Sequence, residues 1–246
     1  MTNITPVLSI ITVVKNGASH IERSILSVLP QLTPNIEYII LDGGSTDGTL
    51  EILARYKEKI TTLISEPDTG IYNAMNKGID IAKGELIGIL NSDDEYFSDS
   101  IELMLDTHIK HNASIYHGNI ELILANGKKT VLKPSLNKLT EQPSINHTSC
   151  FVTKSTYEKL GKFDESYSIS SDYEFLLRCY LANEPFYYIN HSITRFYWGG
   201  ASSSCYSNVE GYRILKRHNT GNHNKMIGRC IKCYLKQLIK KVFFLK

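Results

Sequence analysis

At 246 residues, with 42% hydrophobic and 21% charged residues, the chain can bury one substantial core and is short for two full domains. Its net charge of +2 conceals a division: 17 basic and 25 acidic residues run up to Glu210, a net of −8, and ten basic residues with no acidic one follow. So acidic a body excludes a whole-chain nucleic-acid binder. The apolar run Val7 to Val14 is too short for an export signal or a membrane span and has no basic segment before it, so a protein that starts and stays in the cytosol is expected. Five cysteines (Cys150, Cys179, Cys205, Cys230, Cys233) at scattered positions argue against a disulfide framework and fit a reducing compartment. Cys230 and Cys233 form a CxxC without a second ligand pair and read as thiols on a helix face, since structural zinc takes four ligands.

In chain order, Leu8 to Val14 (LSIITVV) is a continuous β-branched run, the pattern of a strand buried on both faces of a parallel sheet. Ser19 can cap a helix from His20 to Leu29, ended by Pro30. Glu37 to Leu41 predicts a second buried strand, Thr49 to Tyr56 a helix, and Ile60 to Ser65 a third strand. Ile71 to Ala82 follows as a helix and Glu85 to Leu90 as a fourth strand. Four strand and helix alternations predict an α/β sheet with crossover connections, whose ligands sit beyond the carboxyl ends of the strands. Three of those ends are polar: Lys15-Asn16, Asp42 to Gly48, and Asn91 to Asp94. After Ser98 the pattern loosens into a helix over Ile101 to Lys110, a strand pair turning at Asn126-Gly127, a polar stretch from Pro134 to His147, and a helix near Asp172 to Leu181.

The adjacent carboxylates Asp93 and Asp94 repel unless a cation or hydrogen-bond donors offset them; a divalent ion shared with substrate phosphates does so, and so does an Asp-rich turn before the next helix. Asp42 is equally open, because DGGSTDG is a plausible turn with an N-cap at Asp47, while two glycines also permit close approach of a flat ligand. Asp172 in Ser170-Ser171-Asp172 reads either as a helix cap or as an acid–base group, and His147 as a structural histidine or a ligand contact.

Taken in order, SIITVVKN, YIILDGGSTDGT, SEPDTGIYNAMNKG, GELIGILNSDD and GKFDESYSISSDYEFLLR resemble the family 2 glycosyltransferases of bacteria, over about Leu8 to Ser204. The resemblance implies a GT-A fold, a mostly parallel central sheet flanked by helices, and a non-processive, inverting, metal-dependent transferase. Its partners would be a nucleotide-sugar donor, a UDP-sugar first, and a glycan acceptor. By position it places Val13, Val14, Asn16 and Asp42 at the nucleotide base, with Asp68, Gly70 and Asn76 along the nucleotide-sugar. Asn91, Asp93 and Asp94 stand at a DxD motif in which Asp93 and Asp94 hold Mg²⁺ or Mn²⁺. Asp172 is then the general base, Arg195 lies near the donor, and His147 and Trp198 are acceptor contacts. Three positions depart from the pattern: Asn91 replaces the first DxD aspartate, Ser171 the glutamate of a Glu-Asp pair, and Met75 a common arginine. No QxxRW motif of chain-polymerising relatives occurs.

The expected organisation is a nucleotide-sugar half over residues 1–97, an acceptor and catalytic half over 98–211, and a basic amphipathic helical tail over 212–246. At about 100° per residue, Lys225, Arg229, Lys232, Lys236 and Lys240 share an arc of about 80° opposite Ile227, Ile231, Tyr234, Leu235, Leu238, Val242 and Leu245. Such a helix suits an anionic membrane surface, and equally an apolar stripe packed on the body beneath solvated lysines. The membrane reading places the protein on the inner face of the cytoplasmic membrane, building a surface polysaccharide such as O-antigen or capsule on a lipid carrier. A dinucleotide dehydrogenase is disfavoured because no GxGxxG follows the first strand. A nucleotidyltransferase is disfavoured by the lack of a Gly-rich basic loop there.

Overall fold

The computed structural model describes residues 5–200 and 204–244. Its centre is a nine-stranded sheet with the order β3-β2-β1-β4-β8-β6-β9-β5, and β7 paired to β6. The strands are β1 (Leu8–Val14), β2 (Ile36–Asp42), β3 (Thr62–Ser65), β4 (Leu86–Asn91), β5 (Glu95–Tyr96), β6 (Ile115–Ile123), β7 (Lys129–Leu132), β8 (Cys150–Thr153) and β9 (Phe186–Tyr197). The helices are α1 (Ile21–Val28), α2 (Thr49–Tyr56), α3 (Ile71–Ile81), α4 (Ser100–Lys110), α5 (Lys154–Leu160), α6 (Ser171–Leu181), α7 (Cys205–Arg217) and α8 (His223–Phe244).

Every residue of β1 and β2 is buried, as two continuous apolar runs require when helices cover both faces. Alternation divides them: Ile11, Val13, Ile39 and Leu41 pack on one side with Met75, Ile79 and Leu177, whereas Ile10, Val14, Tyr38 and Ile40 pack on the other with Ile21, Ile25 and Ile101. The first four strands are parallel, and their register aligns Val14 with Asp42 and Val13 with Asn91. Three polar strand ends therefore emerge side by side.

The second half pairs differently. β8 is antiparallel to β4 and β6, while β9 runs parallel to β6 through an irregular register between His117 and Ile120 and antiparallel to β5. The sheet passes through both expected halves without a break. α1 begins at Ile21 with His20 at its N-cap and no side-chain cap bond, so Ser19 does not serve as the cap.

The tail departs from expectation in two ways. The boundary at 211/212 falls inside α7, whose Glu210, Ile214 and Leu215 are fully buried, so α7 belongs to the body. Cys205 and Cys233 form a disulfide, which corrects the reading of five unpaired thiols and removes the argument drawn from it for a reducing compartment. The pairing arises because α7 and α8 pack together, bringing residues 28 apart in sequence side by side. Cys230 is free, so the two cysteines of the CxxC are not bonded to each other.

Candidate active site

Beyond the carboxyl ends of β1 and β4 lies an open cavity of about 610 Å³. The end of β1 supplies Val13, Val14 and Lys15, and the loop before α3 supplies Asp68, Thr69 and Gly70. Asn91, Ser92 and Asp93 come from the end of β4, Asn146 and His147 from the turn before β8, and Ser168, Ile169 and Asp172 from the start of α6. Of the residues expected at the site, eight thus share one cavity: Val13, Val14, Asp68, Gly70, Asn91, Asp93, His147 and Asp172.

Asp172 lies in the first turn of α6, and its side chain is not a cap. Oδ2 is 2.9 Å from His147 Nδ1, and Oδ1 is 2.8 Å from the Tyr72 hydroxyl, which also reaches the Ile169 carbonyl oxygen at 2.6 Å. The other ring nitrogen of His147 lies 3.3 Å from Asn91 Oδ1. Burial pushes the Asp172 carboxyl upward, but the hydrogen bonds from His147 and Tyr72 outweigh it and hold the group below the usual carboxylate range. An ionised carboxylate at the cavity wall can accept a proton. Tyr72, which was not among the expected site residues, is its second partner; its place two residues after Gly70 was the available signal.

Asp93 and Asp94 part company. Asp93 lines the cavity, and Arg23 Nη2 donates to its carbonyl oxygen at 2.8 Å. Asp94, expected beside it at the metal, is fully buried: Oδ1 accepts from Tyr197 N–H at 3.1 Å and Oδ2 from the Asn91 amide at 3.4 Å. Burial, with neighbouring Asp93 adding, pushes the Asp94 carboxyl well above its ordinary range. A carboxylate turned inward cannot reach a ligand in the cavity. Among the described residues no cluster of three His, Cys, Asp or Glu could hold a metal ion. The oxygens of Asp93, Ser92 and Asn91 nonetheless fit a hard divalent cation of the kind that completes its shell with substrate phosphates and water.

Four other expected residues do not line the cavity. Asp42 is 2% exposed and accepts from the Gly44 and Ser45 amides, the Ser45 hydroxyl and, at 2.6 Å, the Ser65 hydroxyl. Asn16 adopts a left-handed backbone with φ 52°, and it clamps the same loop through Ser45 Oγ at 2.7 Å and Thr46 N–H at 2.9 Å. Asn76 exchanges bonds with the backbone of Phe163 and donates to Glu165, pinning α3 to that loop. Arg195 faces away toward Glu95 and Glu121 and stacks on Phe97. Trp198, an expected acceptor contact, is 48% exposed and does not line the cavity. A Cβ on Gly43 would sit 2.1 Å from Asp68 Oδ2, so the absent side chain lets the Asp68 carboxylate approach the strand end, and a larger residue would push it aside.

On α8, Met226 is buried, Arg229 donates to Gln142 at 2.7 Å, and Lys225 pairs with Glu141 at 3.3 Å. Met226 and Cys233 point toward the body, and the apolar stripe centres about 130° away around the helix. Ile227, Ile231, Tyr234, Leu235 and Leu238 are accordingly 41–63% exposed, so the stripe does not pack on the body. Leu245 lies outside the described residues. No helix among the described residues is long and apolar enough to cross a membrane.

Residues 9–165 match the model of glycosyl transferase family 2, and the chain belongs to that family. It is 35% identical over 130 residues, 52% of each chain, to the putative teichuronic acid biosynthesis glycosyltransferase TuaG of Bacillus subtilis. In fold it is similar to S. aureus TarS 1–349 in complex with UDP-GlcNAc, with a TM-score of 0.71 at 16% identity over 92% of this chain and 71% of that one. It is also similar to the mannosyltransferase PcManGT of Pyrobaculum calidifontis in complex with GDP-Man and Mn²⁺, with a TM-score of 0.65 at 17% identity over 88% and 65%. The protein is a sugar-transferring enzyme with a GT-A fold, and enzymes of polysaccharide synthesis are among its relatives.

Proposed function

We propose that this glycosyltransferase moves a sugar from a UDP-sugar to a hydroxyl of a lipid-linked glycan in surface-polysaccharide synthesis, by one displacement with inversion at the anomeric carbon. The observation that carries the reading is the Asp172 carboxylate, kept ionised by His147 and Tyr72 at the wall of the cavity that also holds Asp68 and Asp93. The acceptor oxygen forms its bond to the anomeric carbon as the bond to the donor phosphate oxygen breaks. The electron pair leaves with the nucleoside diphosphate, and the acceptor proton passes to Asp172. Val13, Val14, Asp68 and Gly70 border the donor. Asp93, with Asn91 and Ser92 beside it, would hold Mg²⁺ or Mn²⁺, which supplies charge stabilisation to the departing diphosphate. The UDP-GlcNAc bound by TarS favours UDP over other nucleotides as the first donor to try, and the Mn²⁺ of PcManGT favours a divalent ion.

A panel of nucleotide-sugars incubated with the protein and Mn²⁺ tests the reading. Slow hydrolysis of a UDP-sugar is expected, lost in Asp93→Ala and in excess chelator; full turnover with chelator present removes the metal. Proton NMR of the product anomer should show inversion, and retention overturns the single displacement.

The exposed apolar stripe of α8, the basic residues on the opposite arc of the same helix and the lack of acidic residues after Glu210 support an anionic lipid surface as the site of the acceptor. Flotation should carry the protein with anionic vesicles and release it in high salt. Ile231→Asp with Leu235→Asp should stay at the bottom of the gradient; equal flotation removes the membrane role.

A further inference from the structure

Glu210 is the last acidic residue of the chain and has no exposed surface. It projects from α7 into the loop that leads into α6, where its carboxylate accepts three backbone hydrogen bonds: from Ser168 N–H at 2.6 Å, Ile169 N–H at 2.9 Å and Ser170 N–H at 2.9 Å. A buried carboxylate survives only where donors replace its lost water, and three convergent amides do so here. The negative charge also sits against the N-terminus of α6, where the helix dipole favours it.

The three residues held are the ones that aim the base. Ser170 is the N-cap of α6 and Asp172 lies two residues on, while the Ile169 carbonyl oxygen is the second partner of the Tyr72 hydroxyl bonded to Asp172. Ser168 and Ile169 themselves border the cavity. The loop has no strand pairing to fix it, so a side chain from a helix some 40 residues later in sequence does that work. Ser171 occupies the position before Asp172 with its hydroxyl buried and unpartnered, so the loop is not held from that side chain.

We infer that Glu210 is a positioning residue for the general base: by gathering the Ser168, Ile169 and Ser170 amides, it sets the start of α6 so that Asp172 meets both Tyr72 and the acceptor hydroxyl. The inference rests on the assignment of Asp172 as the base. Glu210→Gln replaces one of the two carboxylate oxygens with an amide NH₂, so at least one of the three N–H donors loses its acceptor while side-chain volume is kept.

The test is a double-mutant cycle with steady-state kinetics and donor binding. Glu210→Gln should lower kcat for transfer about tenfold or more, leave donor Kd and donor KM within about twofold, and show no additional loss when combined with Asp172→Asn. If Asp172→Asn retains wild-type turnover, it is the base assignment that falls. If Asp172→Asn is inactive but Glu210→Gln keeps full kcat, or multiplies the Asp172→Asn loss in the double variant, the positioning role falls. Glu210→Asp guards against simple unfolding, since its shorter carboxylate still faces the amides. An intermediate kcat at unchanged donor Kd is expected of it, whereas parallel loss of donor binding in both variants points to a structural role and overturns the inference.

Discussion

The two walls of the cavity are built on different principles. On the side proposed for the donor, Val13, Val14, Asn91 and Asp93 arrive at or just beyond the ends of adjacent parallel strands, and the ladder between β1 and β4 pairs Val13 with Asn91. On the base side, His147 lies in a short 3-10 turn and Asp172 at a helix start, and side chains from α3 and α7 hold the loop between them. A wall made of strand ends tolerates change behind it, because each position is fixed by many backbone bonds. A wall made of single side-chain contacts transmits every loss directly to the reacting group.

The sharpest way to break this comparison is Asp172→Asn, which should cost roughly 10² to 10⁴ in kcat, the scale of a general base, with donor binding unchanged; unaltered single-turnover rates would place the base elsewhere. Next comes the donor wall. Gly43→Ala forces a Cβ against Asp68, and losing one charged hydrogen bond of about 1.5–3 kcal/mol predicts a rise in donor KM of roughly ten- to a hundredfold with kcat nearly kept. Calorimetric titration with UDP-sugar measures it, and an unchanged Kd would show that Asp68 does not touch donor. Asn76→Ala sharpens the contrast from behind that wall, since it removes bonds to Phe163 and Glu165. We expect about 1–3 kcal/mol less stability by denaturant unfolding and a donor Kd that stays put.

The smallest effect concerns pH. The Asp172 carboxyl is held below its ordinary range, so with Asp172 as the proposed base, transfer is expected to persist down to pH values below that range. In His147→Ala the largest opposing hydrogen bond is gone and burial acts less checked, so the acidic limb of the kcat profile should move toward higher pH. A limb that stays in place would mean that His147 does not hold the base.

The strand ends were legible because their signals are local. LSIITVV is buried on both faces as its composition requires, and the polar residues after β1, β2 and β4 do emerge together. Sequence pattern could also point to Asp172. It could not separate Asp93 from Asp94, because which of two neighbours turns inward depends on Tyr197, about a hundred residues later in the chain. Asp42 and Asn16 were visible as special positions, yet their bonds go to Ser45, Ser65 and Thr46, so they shape the loop. Glu210 was noticed only as the end of the acidic residues. Its partners are backbone amides 40 residues or more away, and an amide carries no residue type to read.

The bridge between Cys205 and Cys233 gives the last helix a chemical clasp. Closing a loop between residues 28 apart lowers the freedom of a detached tail by about 3.5 kcal/mol in the chain-entropy picture. With thiol reductant present, α8 is held by noncovalent contacts alone, among the described residues Met226, the His223 ring against Tyr212, the Arg229 bond to Gln142 and an exposed pair between Lys225 and Glu141. The oxidation state of two sulfur atoms therefore tunes how tightly a helix with an exposed apolar stripe is tethered to the catalytic body. A protease cut in the turn around Gly221 would leave both fragments travelling as one band until the gel sample is reduced.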